Sequence, residues 1–289
     1  MRPCLRPGRP LRALQAARSY SVASKPHAYL TPASKLLNRD LPGVSAIVLD
    51  RPEARNALSM QMVDELLEIM AKLPNDGTRV TMVHANGPVF CAGADLRERK
   101  TMSRERVDKF LNDMNQMMRD LEKLPMPTIA AVQGPAMGGG TELSLCCDLR
   151  TGQPETTFAL PEVKLGIIPG AGGTQRLTHL LGRSKAMELI FTGRKVDVNE
   201  ALELGLIDKI AKDGQNSTDA AADIVELMLS SAPLSLRAAK QAINAAPGTP
   251  IDEGLRLERA AYATLLDSED RLEGLRAFAE KRKPIFQGK

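Results

Sequence analysis

The stretch PAMGGGTELSLCCDLR, residues 135–150, puts three glycines directly ahead of an acidic residue and a run of small apolar ones. Glycine is the poorest ordinary helix former. Gly138, Gly139 and Gly140 at a helix mouth therefore point to backbone N–H groups that must come close to something. The first turn of a helix has N–H groups without intrahelical partners, which suits negative charge. Glu142 lies just inside that turn, where a carboxylate can complement the helix dipole or take part in chemistry. The stretch alone leaves both readings open.

Working outward, PTIAAVQ (127–133) reads as a strand that runs into the glycines, and DLRTG (148–152) as a short strand after the helix. Further upstream, VSAIVLD (44–50) and RVTMVHA (79–85) are strands of the same apolar type. Between them apolar residues at 62, 66, 69 and 73 have the spacing of one helix face. Ser103 is a suitable N-cap for a helix with Val107, Phe110, Leu111, Met114, Met118 and Leu121 on one side, a stripe that reads as core packing. Strands alternating with helices predict an α/β domain. Helices dominate after Gly172, at roughly 184–192, 198–204, 217–230, 233–246, 252–267 and 270–282. The expected organisation is a Pro- and Ser-containing linker over 21–42, an α/β core over 43–215 and a helical region over 216–289. No repeat of 20–50 residues and no low-complexity tract interrupts it.

The chain has 289 residues, enough for a substantial core, and a composition of 43% hydrophobic and 26% charged residues that fits a globular protein. Its net charge of +4 is unevenly spread. Residues 1–38 hold five Arg and two Lys with no acid, which leaves the remainder at −3. A mildly acidic body argues against a nucleic-acid binder, and nine aromatics without a tryptophan offer little for base stacking. The opening MRPCLRPGRPLRALQAARSYS is arginine-rich and acid-free, as a mitochondrial transit peptide over residues 1–20 would be. Arg18 in RSYS places the expected cut at Tyr20–Ser21. Residues 124–141 are uncharged but broken by Pro125, Pro127, Pro135 and the glycines, so no membrane span is expected. Cys4, Cys91, Cys146 and Cys147 suit reduced thiols rather than a disulfide framework, and His27, His84 and His179 lie too far apart in sequence to suggest zinc.

Several nucleotide and hydrolase motifs are excluded. Neither GPAMGGGTE nor GIIPGAGGT supplies the lysine of a P-loop. GAGGTQ ends in Gln175 where the dinucleotide fingerprint needs glycine, and no G-x-S-x-G occurs. What remains is FCAGADLRE (90–98), GPAMGGGTELSLCCD (134–148) and LPEVKLGIIPGAGGTQRL (160–177). Each is glycine-rich beside a predicted strand end, where α/β folds place ligands. The first two can each donate a backbone N–H to a shared oxyanion, and the last two carry Glu142 and Glu162.

Together these stretches resemble the enoyl-CoA hydratase/isomerase, or crotonase, family, from about Val44 to the C-terminus. The resemblance implies a spiral of ββα units followed by helices that join trimers, commonly stacked as hexamers. It implies an acyl-CoA thioester whose carbonyl oxygen lies between the N–H groups of Ala94 and Gly139, and Glu142 and Glu162 as the acid–base pair. Coenzyme A is then part of the substrate, with no separate cofactor and no metal. Its contacts are implied at Arg55, Ala57, Leu58, Ala94, Asp95, Leu96 and Arg97, with Phe278 and Lys281 from a neighbouring subunit. Both acids and A-G-A-D favour a hydratase over an isomerase. CAGADLRERKTMS, ELIFTGR and DRLEGLRAFAEKRKP look most like the methylglutaconyl-CoA hydratase branch of leucine breakdown. Arg97, Arg99, Lys100 and Lys164 are the candidates to meet a carboxylate on such a substrate. One branch of the family binds RNA through a lysine-rich first helix. Here that helix has only Lys72 against Asp64, Glu65 and Glu68, so RNA is not expected.

Overall fold

Apolar residues on both faces of a strand demand cover on both sides, and Val44–Leu49 meets that description. In the computed structural model, which describes residues 25–289, Val44, Ala46 and Val48 belong to one buried cluster while Ile47 and Leu49 belong to another. The central sheet grows around this strand. Its elements, with those that connect them, run β1 (Ala28–Pro32), β2 (Val44–Leu49), α1 (Met60–Lys72), β3 (Val80–Ala85), α2 (Leu96–Lys100), α3 (Arg104–Glu122) and β4 (Thr128–Val132). Then come β5 (Pro135–Met137), α4 (Gly139–Leu145), β6 (Leu149–Gly152) and β7 (Thr157–Ala159). The chain continues through α5 (Gly173–Leu181), α6 (Arg183–Thr192), β8 (Val196–Asp197), α7 (Val198–Glu203) and β9 (Lys209–Ile210). It closes with α8 (Ser217–Leu229), α9 (Pro233–Asn244), α10 (Ile251–Ala263) and α11 (Glu269–Ala279).

Six strands pair in the order β1-β2-β3-β4-β6-β9, all parallel except the antiparallel edge pair β1–β2. The stretch expected to be a linker thus supplies a strand. β1 pairs Ala28 with Leu49 and Pro32 with Ser45, and its proline sits on the edge, where a missing N–H is harmless. A second sheet has the order β5-β7-β8, with Ala136 opposite Phe158. β5, β7 and β8 are two or three residues long, and only pairing defines them.

Helices cover the two faces differently. On one, α1 and α3 bury Met62, Leu66, Met117, Met118 and Leu121 with Ile47, Val83 and Ala130. Ser59 caps α1 by accepting from Met62 N–H, and Ser103 caps α3 by accepting from Arg106 N–H. On the other face α8 packs Ala221, Ala222 and Val225 against Ala46, Met82, Ile129 and Ala131. Within the helical region expected over 216–289, α8 completes the core, and the helices that stand off the sheet begin at Pro233. On those helices Ile251, Leu255, Tyr262, Leu275 and Phe278 are exposed, Phe278 to 87%. Among the described residues no helix is long and apolar enough to cross a membrane, and Cys91, Cys146 and Cys147 are free buried thiols. Cys4, the presumptive leader and the Tyr20–Ser21 position lie outside the described residues.

Candidate active site

The site is built where two backbone segments touch. Residues 91–95 run between Leu58 on one side and β5 on the other. Leu58 N–H donates to Gly93 O at 2.8 Å and Asp95 N–H to Leu58 O at 3.1 Å. In a parallel bridge the residue between those two turns its own N–H the opposite way, so Ala94 N–H faces away from Leu58. On the other side Met137 N–H donates to Cys91 O at 2.9 Å, and β5 then delivers Gly138 and Gly139 to the start of α4. Gly139 is the first helical residue, with no carbonyl one turn back for its N–H.

This approach explains the glycines. Gly138 has φ +52° and ψ −121°, a conformation that side chains rarely adopt. A Cβ on Gly140 would lie 2.1 Å from Cys91 O, so α4 can begin here only without one. At Gly139 an added Cβ would lie 3.5 Å from Ala94 N, which measures how near the two N–H-bearing segments come. Thr141 Oγ1 donates to Ala136 O and Ala159 O at 2.7 and 2.9 Å, tying the helix to β5 and β7.

Ala94, Gly139, Glu142 and Glu162 all line one cavity of about 520 Å³. Its other walls are largely apolar and include Leu96, Leu111, Met114, Leu165 and Ile168. Leu111 and Met114 therefore do more than the core packing expected of their stripe. Glu142 is 2% exposed. Its Oε1 accepts from Ala171 N–H and Gly173 N–H, both at 2.8 Å. Burial raises its pKa, while the two N–H groups and the Arg176 charge oppose that rise. Glu162 begins a short 3₁₀ turn after Pro161 and is held more loosely. Its Oε2 is buried and has no hydrogen-bond partner among the described residues. Burial, with the neighbouring Glu142 charge, pushes its pKa up to about 7. The two carboxyls thus differ: Glu142 has two N–H donors from another segment and a nearby cation to stabilise the ionised form, and Glu162 has only its own backbone N–H.

The other expected contact residues are arranged less uniformly. Asp95 caps α2 by accepting from Arg97 N–H and Glu98 N–H, and its other oxygen pairs with Arg51 at 2.7 Å. That carboxylate builds the loop and is not free for a ligand. Arg55, at φ 54°, accepts from Ala92 N–H, and Ala57 is buried beside Leu58. Buried Asn56 latches this turn through Asn86 O and Val89 O. Arg97 is exposed outside the cavity lining, whereas Leu96 lines the cavity. Phe278 and Lys281, at the exposed end of α11, are not among the lining residues. Of the four candidate partners for a substrate carboxylate, Arg99 alone lines the cavity, and Lys164 Nζ is donated to Gly193 O. Among the described residues no cluster of His, Cys, Asp or Glu could hold a metal ion.

Sequence reasoning missed the groups behind Glu142. PGAGGT was recognised as glycine-rich, but not as the source of the N–H pair at Ala171 and Gly173.

The chain is similar to known proteins in both sequence and fold. The family model described as enoyl-CoA hydratase/isomerase matches residues 40–289. An enoyl-CoA isomerase/hydratase of Mycosarcoma maydis is 48% identical, covering 91% of this chain and 98% of that one. The mitochondrial methylglutaconyl-CoA hydratase of Homo sapiens is 40% identical, over 85% of this chain and 74% of that one. The crystal structure of an enoyl-CoA hydratase from Bacillus anthracis superposes with a TM-score of 0.85 at 39% identity, covering 91% of this chain and all of that one.

The crowding at α4 gives a direct check by urea denaturation. Gly140→Ala should lose about 3 kcal/mol, because the added carbon meets rigid backbone. Gly254→Ala in α10, with nothing within 4 Å, should be neutral or stabilising by up to about 1 kcal/mol. Equal effects would contradict the close approach.

Proposed function

The chain belongs to the enoyl-CoA hydratase/isomerase family, and we propose that it adds water across the 2,3 double bond of a short or branched acyl-CoA thioester. The observation that carries this reading is the pair of unlike carboxyls, Glu142 and Glu162, on one cavity with the Ala94 and Gly139 N–H groups. The thioester oxygen accepts from those two N–H groups, which draws electron density from the β-carbon. Glu142, ionised, takes a proton from water as the oxygen attacks that carbon. The electron pair of the double bond moves toward the thioester oxygen as an enolate, where each donor is worth roughly 2.7–4 kcal/mol. Glu162, neutral, then delivers its proton to the α-carbon. A proton passes back from Glu142 to Glu162 to reset the pair. An isomerase would need only one carboxyl to move a proton along the acyl chain, and the second acid then has no task.

The acyl group is narrowed by Arg99, the one cation lining the cavity among the described residues. An otherwise apolar chain ending in a carboxylate fits that wall, and 3-methylglutaconyl-CoA, an intermediate of leucine breakdown, has this form. The name of the human relative supports the same reading. The exposed apolar residues of α10 and α11 support a trimer, or a hexamer of two trimers, in which Phe278 and Lys281 of one copy reach coenzyme A bound to the next. The basic opening residues and the human relative's mitochondrial label support residence in the mitochondrial matrix.

Direct measurements test each of these statements. Glu142→Gln and Glu162→Gln should each lower hydration at least about 10²-fold in folded protein; near-normal turnover in either removes the two-acid mechanism. In the wild type, kcat/KM should fall as pH rises through about 7, because Glu162 is active with its proton on, and should also fall on the acid side as Glu142 is protonated. Arg99→Gln should lower kcat/KM for methylglutaconyl-CoA about 10-fold or more and change crotonyl-CoA hydration only about 2-fold; equal losses would exclude carboxylate recognition. Light scattering should give three or six subunits, and Lys281→Ala should raise KM more than it lowers kcat; a fully active monomer contradicts the shared site. N-terminal sequencing of protein from isolated mitochondria should begin near Ser21, and a start at Met1 contradicts cleavage.

A further inference from the structure

Behind Glu142, on the side away from the cavity, lies an ion pair that the acid–base steps above do not use. Arg176 of α5 makes a two-pronged contact with Glu122 at the end of α3: Nε to Oε1 at 3.1 Å and Nη2 to Oε2 at 2.8 Å. Its remaining arm, Nη1, donates to Ala171 O at 2.9 Å. Ala171 is the residue whose N–H grips Glu142 Oε1. Gly172, at φ +103°, makes the bend that brings Gly173 N–H to the same oxygen. A Cβ there would lie 2.0 Å from Arg176 Nη1, so the bend and the guanidinium share one space. The side chain of Arg176 is 15% exposed, and its planar fork is spent on two fixed acceptors.

We propose that Arg176, oriented by Glu122, is the positioning residue for Glu142, fixing the 171–173 backbone that holds the carboxylate and supplying the charge behind it. This rests on the hydratase reading of the site, in which Glu142 acts ionised. Arg176 is not among the residues that line the cavity; it acts through the Ala171 peptide and through its field. Lysine could replace the charge but not the three-way geometry, since an ammonium has no planar fork. The charged and titratable groups around Glu142 are few. Among the described residues they are Glu162 from the 3₁₀ turn, Arg176 from α5, Glu122 beyond it on α3, Cys146 at the C-terminal cap of α4, and Arg99 on the cavity wall. Arg176 is the cation whose charge acts on Glu142, and Glu122 is its counter-charge.

The two members of the pair carry opposite charges, so removing each in turn should act oppositely on Glu142, which separates positioning from ordinary structural support. In full-length protein, Arg176→Gln should lower kcat about 10-fold or more with KM changed only about 2-fold. It should also move the acid-side midpoint of the pH profile up by about one unit, because Glu142 keeps its proton to higher pH. Glu122→Gln should move that midpoint down, because the guanidinium loses its counter-charge. Arg176→Lys should restore the midpoint while recovering only part of kcat. Circular dichroism melts verify that each variant is folded; if Arg176→Gln is not, Glu122→Gln and Arg176→Lys carry the comparison. The Glu142 carboxyl stretch, isolated as the infrared difference from Glu142→Gln and titrated without substrate, should move in the same directions. That readout does not depend on turnover, so a wild type that hydrates nothing would sink the hydratase reading alone. Midpoints that stay at the wild-type value in folded variants, or that shift the same way in Arg176→Gln and Glu122→Gln, would overturn the proposal.

Discussion

Everything at this site depends on two backbone segments being in contact without side chains between them. The 91–95 segment and the start of α4 approach so closely that a single methyl group on Gly140 would sit 2.1 Å from a carbonyl oxygen. Such an approach is possible only where both partners are pinned from behind. Leu58 and the Arg51–Asp95 pair hold the first segment, and the Thr141 hydroxyl with the β5–β7 pairing holds the second. The result is a pair of N–H groups on rigid supports, which need not reorganise when charge appears between them.

Beside that fixed pair, two residues of one chemical type are given unlike environments. Both carboxyls are buried enough to resist ionisation, but only Glu142 has two N–H donors and a nearby guanidinium to offset the loss of water. Glu162 has a buried oxygen with no partner and a pKa of about 7. Two acids with separated proton affinities can divide a base role from an acid role at neutral pH. The central sheet supports this arrangement indirectly: its parallel strands are covered on both faces, so the loops that bear the two acids rest on a rigid layer.

Much of this was legible because it is local. Strands β2, β3 and β4 are continuous apolar runs, and α1 and α3 carry serine caps and a helix-spaced face, so periodicity alone located them. The glycines were legible because close backbone approach leaves few residue choices, whereas the two acids were paired through the family resemblance of the stretches that carry them. What sequence reasoning missed is what pairing across distance creates. β1, β5 and β7 exist through their partners, and α8 joins the core because small alanines match the sheet face it covers. Arg51 and Asp95 are 44 residues apart, and Arg176 and Glu122 are 54 apart. Nothing in the spacing of either pair announces a contact, since an arginine or glutamate on a helix is ordinarily a solvated charge.

In the proposed reaction Ala94 and Gly139 direct their N–H groups at one thioester oxygen, and every later step depends on that contact. The infrared stretch of a thioester carbonyl labelled with ¹³C, measured in a bound unreactive acyl-CoA analogue, reads this polarisation without any turnover. Two converging donors in a water-poor cavity should lower that frequency below its value in water, with a narrowed band. A frequency at or above the aqueous value, in protein saturated with the analogue, would contradict the account.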